Sequence, residues 1–253
     1  MSMTASAQFK ARLRAREALL GVFVKTPHPS VVEALAAGGV DCVCLDAEHG
    51  PFDRRDLDMS LMAAHLHNIP AIVRVPSGAA HEILTALDLG AAGVLVPHVR
   101  SVEQAKAVAA SCAYGPGGRG YAGGTRGNMG AGIAERMAQA AAATSVILQI
   151  EDIEAVPEAD AIAALPGIDA LFIGRVDLTV GLGETDPKAP RVLETVSDLT
   201  RRITAAGRAV GMFCPDVTEV PDWQAKGASL FLLGSDHGFI TAGARQLRRE
   251  AGL

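Results

Sequence analysis

Aromatic side chains are scarce in this chain: they make up 4% of 253 residues, with one Trp and two Tyr. A packed interior must therefore be filled by Ala, Val, Leu and Ile, which the 49% hydrophobic content supplies in quantity. The four cysteines, Cys42, Cys44, Cys112 and Cys214, lack the paired spacing of a zinc site or a disulfide framework, so buried reduced thiols are expected. No basic run with interleaved aromatics occurs and the formal net charge is -5, which argues against a nucleic-acid partner. Nothing approaches the roughly 18 consecutive apolar residues of a membrane span. The segment 5–18 is a helical pattern studded with Arg and Lys, and the apolar run after it, 19–24, is too short for a signal-peptide core. These absences predict a cytoplasmic protein with neither a targeting segment nor a membrane anchor.

What the chain does contain is a rhythm. Strand-like apolar runs occur at 19–24, 42–46, 71–75, 93–97, 146–150, 170–173, 209–213 and 230–233. Amphipathic stretches at 29–38, 54–67, 79–89, 102–111, 154–165, 193–206 and 217–226 separate them, and Gly38, Gly90, Gly207 and Gly227 follow several as helix terminators. Eight βα units without a composition shift predict one domain over 1–253: a (β/α)₈ TIM barrel with an N-terminal helix. A doubly wound sheet is the alternative, but no GxGxxG follows the first strand. One long connection, from about 113 to 144, breaks the rhythm. Its stretch 114–127 is too Gly-rich for regular structure, with Arg119 and Arg126 as possible anion donors. Taken as leaving the end of strand four, it is expected to hang over the barrel mouth as a flap.

Chemistry is concentrated where the apolar runs stop. The stretch 144–182 holds two strands that end abruptly in acids, Glu151 and, just past Gly174, Asp177. In a parallel barrel both would face one mouth, where like charges repel unless a cation lies between them, and hard divalent ions favour oxygen ligands. Helix-capping carboxylates are the plainer alternative. Strand two ends in Asp46-Ala47-Glu48-His49-Gly50-Pro51, three titratable groups at one strand end. In an extended segment Asp46 and Glu48 point alike, and His49 can turn inward at the bend. Arg74 closes strand three, where its planar fork suits a carboxylate or a developing enolate oxygen. Asp88 ends a helix pattern, poorly placed for the helix dipole, which points to a specific partner such as His49. His98 is a weaker candidate, and Lys25, after strand one, is the one candidate for a Schiff-base mechanism.

Together the pieces GVFVKTPHPSVVEALAAGGVDCVCLDAEHGP, AIVRVP, LDLGAAGVLVPHV, YGPGGRGYAGGTRG, ILQIED and FIGRVDLTVGLG resemble the metal-dependent (class II) pyruvate aldolases of the aldolase/citrate lyase superfamily. The type is that of 4-hydroxy-2-oxoheptanedioate aldolase and the 2-keto-3-deoxy-sugar-acid aldolases. The pieces run in order over nearly the whole chain, and D-x-E-H with F-I-G-x-x-D-L is the specific combination. The resemblance implies a (β/α)₈ barrel assembled as a trimer or hexamer, acting on 4-hydroxy-2-oxo acids to give pyruvate and an aldehyde in aromatic or sugar-acid catabolism. It implies a divalent metal, Mg²⁺, Mn²⁺ or Co²⁺, on Glu151 and Asp177, and an acid–base dyad of His49 with Asp88. Arg74 would face the pyruvate oxygen, and Asp46 and Gln149 would support the metal's water and the bound pyruvate. Gly174 and the amides of Arg175 and Val176 would hold the substrate carboxylate. Two departures bear on aldehyde specificity: Arg175 stands where the family often has Pro, and the loop Pro116-Gly-Gly-Arg119-Gly is one residue shorter. A CoA-ester lyase of the citryl or malyl type and a non-catalytic 2-oxo-acid-binding barrel remain alternatives.

Overall fold

The computed structural model describes residues 4–126 and 132–253. Eight parallel strands close into a barrel in sequence order. The elements are α1 (Ala5–Arg14), β1 (Leu19–Val24), α2 (Pro29–Ala37), β2 (Cys42–Asp46), α3 (Arg54–Leu66), β3 (Ala71–Arg74), α4 (Ala80–Asp88), β4 (Gly93–Val96) and α5 (Val102–Cys112). They continue as α6 (Ile133–Ala143), β5 (Ser145–Ile150), α7 (Ala159–Ala164), β6 (Ala170–Ile173), α8 (Arg175–Gly181), α9 (Pro190–Ala205), β7 (Ala209–Phe213), α10 (Val220–Ala225), β8 (Ala228–Ser235) and α11 (Asp236–Glu250). All eight expected strands are present. Gly90, Gly207 and Gly227 take positive φ as expected of terminators, but after α2 it is Gly39 rather than Gly38 that does so.

Alternation along each strand sorts side chains into two cores. Even-numbered residues of β2, Cys42 and Cys44, point into the barrel with Ile72, Leu95, Ile147, Ala170 and Phe172, while Val43, Leu45, Val73, Leu148 and Leu171 face the helices. Continuing the inward series carries Asp46 on β2, Arg74 on β3, Gln149 on β5 and Glu151 just past β5 to the rim where the strands end. The opposite end is closed by α1, whose Phe9 and Leu13 pack into the inner core. Lys10 and Arg14 of the same helix pair there with the buried Asp169, at 3.3 and 2.6 Å.

Two expectations change. The helical stretches expected over 154–165 and 217–226 each divide into a 3₁₀ turn and a short helix, Ile153–Ala155 before α7 and Val217–Glu219 before α10. Pro157 and Pro221 fall at or just beyond these breaks, where a residue without a backbone N–H is tolerated. The Gly-rich stretch also lies elsewhere than expected. It follows α5, not β4, and α5 runs antiparallel to the strands, so the loop leaves on the helical side toward the strand-starting end. There Arg126 donates to the carbonyls of Asp58 and Leu89, both at 3.1 Å, and Arg119 stacks on Tyr114. Its described residues, up to Arg126, form no flap over the barrel mouth of the same chain. Gly127, its last residue, lies outside the described residues.

Candidate active site

Strand register makes the first pair. Asp46 and Arg74 are facing partners of β2 and β3. Their side chains form a two-pronged bond, Arg74 Nε to Asp46 Oδ1 at 3.0 Å and Nη2 to Oδ2 at 2.8 Å. Burial alone would raise the Asp46 pKa, but Arg74, the His49 amide and Lys25 outweigh it and hold the carboxyl below its usual range. Burial likewise opposes the charge on Arg74, and Asp46 more than restores it. Below the guanidinium lies the Phe23 ring, 4.7 Å away at its centroid. Lys25 Nζ reaches Asp46 Oδ2 at 3.6 Å, so the lysine flagged after β1 stands at the rim with its ammonium directed to a carboxylate.

Opposite them, β5 presents Gln149 and Glu151. The Gln149 amide nitrogen donates to Glu151 Oε2, and its Oε1 is buried without a hydrogen-bond partner. The close approach of β6 depends on Gly174, because a Cβ there would meet Glu151 Oε2 at 2.7 Å. Burial pushes the Glu151 carboxyl up. The His98 and Gln149 donors offset part of this, and the charge of Asp177 adds to it. Glu151 and Asp177 thus act on each other electrostatically, and neither is ion-paired to Lys or Arg among the described residues.

The sequence places Glu48 only among three titratable groups at the end of β2, with no role, and makes His98 a weaker candidate; the structure brings both to the rim. Glu48 is pushed up by burial, partly offset by Arg74, His49 and His98. Its Oε2, which lies 3.3 Å from Arg74 Nε, has no hydrogen-bond partner. His98 sits just after β4 in the left-handed region, φ +54°, which is unusual for a residue with a side chain. That turn aims its amide at Glu151 Oε1, 2.9 Å away, and its ring at Asp152, Glu151 and Glu48. One donor atom each from Glu48, His98 and Glu151 lies within 4.8 Å of the others. Around this rim four carboxylates, Asp46, Glu48, Glu151 and Asp177, outnumber the two fixed cations Arg74 and Lys25. The oxygen-rich donor set and the orphaned Glu48 and Gln149 atoms fit a divalent cation.

Other expected residues are placed with corrections. His49 lies beyond β2 with its ring 58% exposed; its amide donates to Asp46 at 3.1 Å and its Nε2 stands 3.7 Å from Glu48. The Gly174 amide is already committed to the Ile150 carbonyl, at 3.0 Å, so it is not free for a substrate carboxylate. The buried Arg175 gives its guanidinium to Glu219 at 2.6 Å, leaving its backbone amide and that of Val176 at the start of α8. Asp177 is exposed in the first turn of α8. Asp88 is the last residue of α4, on the outer helical layer toward the strand-starting end. Burial raises its carboxyl, and Arg119 and Arg54 pull it down. Its Oδ1 is buried and unpartnered. His49 follows the other end of a strand, so a His49–Asp88 dyad does not form within one chain.

A family model described as HpcH/HpaI aldolase/citrate lyase matches residues 19–242. The 5-keto-4-deoxy-D-glucarate aldolase of Escherichia coli O157:H7 is 32% identical over 242 residues, covering 95% of this chain and 94% of the relative. The 4-hydroxy-2-oxovalerate aldolase of Novosphingobium aromaticivorans is 35% identical over 238 residues, 93% of this chain and 91% of that one. The crystal structure of an HpcH/HpaI aldolase/citrate lyase family protein from Burkholderia cenocepacia J2315 superposes with a TM-score of 0.92 at 31% identity. The match covers 98% of this chain and 100% of that one.

Proposed function

This chain belongs to the HpcH/HpaI aldolase/citrate lyase family, and from that premise we propose that it is a divalent-metal-dependent aldolase cleaving 4-hydroxy-2-oxo acids to pyruvate and an aldehyde. The observation that carries the reading is the rim itself: a buried guanidinium fixed by Asp46 faces an excess of carboxylates that need a cation. Glu151 and Asp177 are the residues we assign to the ion, which when bound supplies Lewis-acid polarisation of the 2-oxo group. Breaking the C3–C4 bond requires a base for the C4 hydroxyl proton and positive charge where the 2-oxo oxygen becomes negative. His49, exposed at the mouth, takes that proton. Arg74, held rigid by Asp46, supplies charge that strengthens toward the transition state. Gln149 offers its amide to the bound 2-oxo acid, and the Arg175 and Val176 amides serve its carboxylate.

We further propose that the protein is a homo-oligomer. Two observations support this. Asp88 lies at the end of α4 in the outer layer with an unsatisfied buried oxygen, and His49 stands at the opposite end of the barrel, so their dyad requires a second copy. Along α11 only Asp236 is buried, and Phe239, Ile240 and Leu247 are 48%, 67% and 68% exposed, an apolar face suited to a neighbouring subunit.

The reaction is tested by a retro-aldol screen of 4-hydroxy-2-oxo acids, coupled to pyruvate detection, before and after chelation. Activity should vanish with chelator and return with Mg²⁺, Mn²⁺ or Co²⁺. Full turnover by thoroughly stripped protein overturns the metal assignment, and a covalent adduct trapped by borohydride with pyruvate would transfer the chemistry to Lys25.

A further inference from the structure

We propose that His98 is itself a metal ligand. Its Nε2 joins Glu48 and Glu151 in a mixed nitrogen–oxygen cradle that favours a transition-metal cation such as Mn²⁺ or Co²⁺ over Mg²⁺. This rests on the reading above only in taking the rim to bind a cation.

The first support is spacing. His98 Nε2 stands 3.5 Å from Glu48 Oε1, beyond the usual 2.7–3.2 Å span of nitrogen–oxygen hydrogen bonds. Two donors that share one cation at about 2.0–2.2 Å are spaced by roughly 3 Å or slightly more. The Nε2–Glu48 spacing therefore matches a ligand edge better than direct bonding, and one donor atom each from His98, Glu48 and Glu151 lies within 4.8 Å of the others.

The second support is how the ring is oriented. Nδ1 lies 3.1 Å from Asp152 Oδ2, and the other Asp152 oxygen is held by Arg100 at 3.2 Å. A carboxylate on one ring nitrogen fixes the tautomer and leaves the other nitrogen as an electron-pair donor, the arrangement that metal-bound histidines adopt. The free nitrogen, Nε2, is the one turned to Glu48. The third support is independent of both: Gln149, 3% exposed, holds Glu151 by its nitrogen and has a buried Oε1 with no partner beside the same carboxylate.

An imidazole ligand changes which ion is preferred. Mg²⁺ takes oxygen donors almost exclusively, whereas Mn²⁺ and Co²⁺ accept imidazole with carboxylate. His98→Met should therefore lower Mn²⁺ affinity about tenfold or more, and Mg²⁺ affinity much less.

The test is Mn²⁺ titration of the metal-stripped full chain, with pulsed electron paramagnetic resonance to detect a coordinated nitrogen. The expected result is nitrogen coupling in the wild type that survives in His49→Ala and is absent in His98→Met. Mn²⁺ bound by the wild type without nitrogen coupling overturns the proposal and leaves the aldolase reading intact. Coupling lost in His49→Ala but kept in His98→Met does the same. The wild-type spectrum alone decides whether nitrogen is bound, so poor folding of a variant does not protect the idea. Failure of the wild type to bind any divalent ion removes both readings together.

Discussion

Arg74 and Asp46 hold each other, and each does a different job for the other. The guanidinium keeps a fully buried carboxylate charged, and the carboxylate keeps the guanidinium from turning away from the mouth. Arg74→Lys replaces a planar fork by a point charge that cannot reproduce both bonds. We expect kcat for aldol cleavage to fall by about 10²–10³-fold, with a modest fall in melting temperature because the buried Asp46 loses one of its two bonds; steady-state kinetics and thermal unfolding check the pair of outcomes. Asp46→Ala leaves Arg74 buried beside only Glu48 and should cost about 3–5 kcal/mol in a denaturant titration. The pH dependence has a definite sign. The folded Asp46 carboxyl titrates below its ordinary value of 3.8 despite burial, because Arg74, the His49 amide and Lys25 favour its charged form. Its contribution is therefore complete above the ordinary carboxylate range and is lost as pH falls through the depressed value. The stability gap between wild type and Asp46→Asn should be full at pH 6 and shrink steadily below pH about 4, as read from urea midpoints.

Between residues and fold lie the elements that aim them, and α8 shows the dependence best. Its first turn carries the Val176 amide and Asp177, and it is pinned from behind by the Arg175–Glu219 pair. Trp223 Nε1 also donates to the same Glu219 oxygen at 3.2 Å. Arg175 was flagged by the sequence as a departure bearing on aldehyde choice, but its guanidinium is spent on this latch. Glu219→Gln should raise KM for the 2-oxo acid roughly tenfold or less with kcat little changed; a fall in kcat alone would point to another role. At this scale the sequence was largely readable. Nearly every strand is a short apolar run closed by Gly, Pro or a charged residue, and inward alternation carries Asp46, Arg74, Gln149 and Glu151 to one rim. What it hid was non-local. Glu48, after β2, and His98, after β4, meet only across the end of the intervening β3, and a lone His beside Pro97 carries no periodicity. The Gly-rich loop was misplaced for a related reason: the intervening α5 reverses the chain before the glycines begin.

The whole molecule poses the question that a single chain leaves open. At its own rim the carboxylate beside His49, Glu48 at 3.7 Å, is shared with Arg74 and His98, and its outer layer has Asp88 with an unsatisfied buried oxygen. It also carries α11, whose Phe239, Ile240 and Leu247 are open to solvent. A symmetric assembly resolves all three if one copy's outer layer meets its neighbour's mouth, because every subunit then both gives and receives an Asp88. This arrangement makes a prediction that a cis dyad does not. His49→Ala and Asp88→Ala should each be nearly inactive alone, down by about 10²–10⁴-fold as expected for loss of general acid–base catalysis. When the two variants are unfolded together and reassembled, some shared sites regain an intact His49 from one copy and an intact Asp88 from the other. For random mixing at a two-copy site, about a quarter of wild-type activity should return. Each variant reassembled alone should stay inactive, and sedimentation should show the same assembly throughout. No recovery in correctly assembled mixtures would place the partner of His49 within its own chain or remove the dyad altogether. Because the metal-binding residues are untouched in both variants, Mn²⁺ affinity should be the same in all samples, which separates proton transfer from the integrity of the rim.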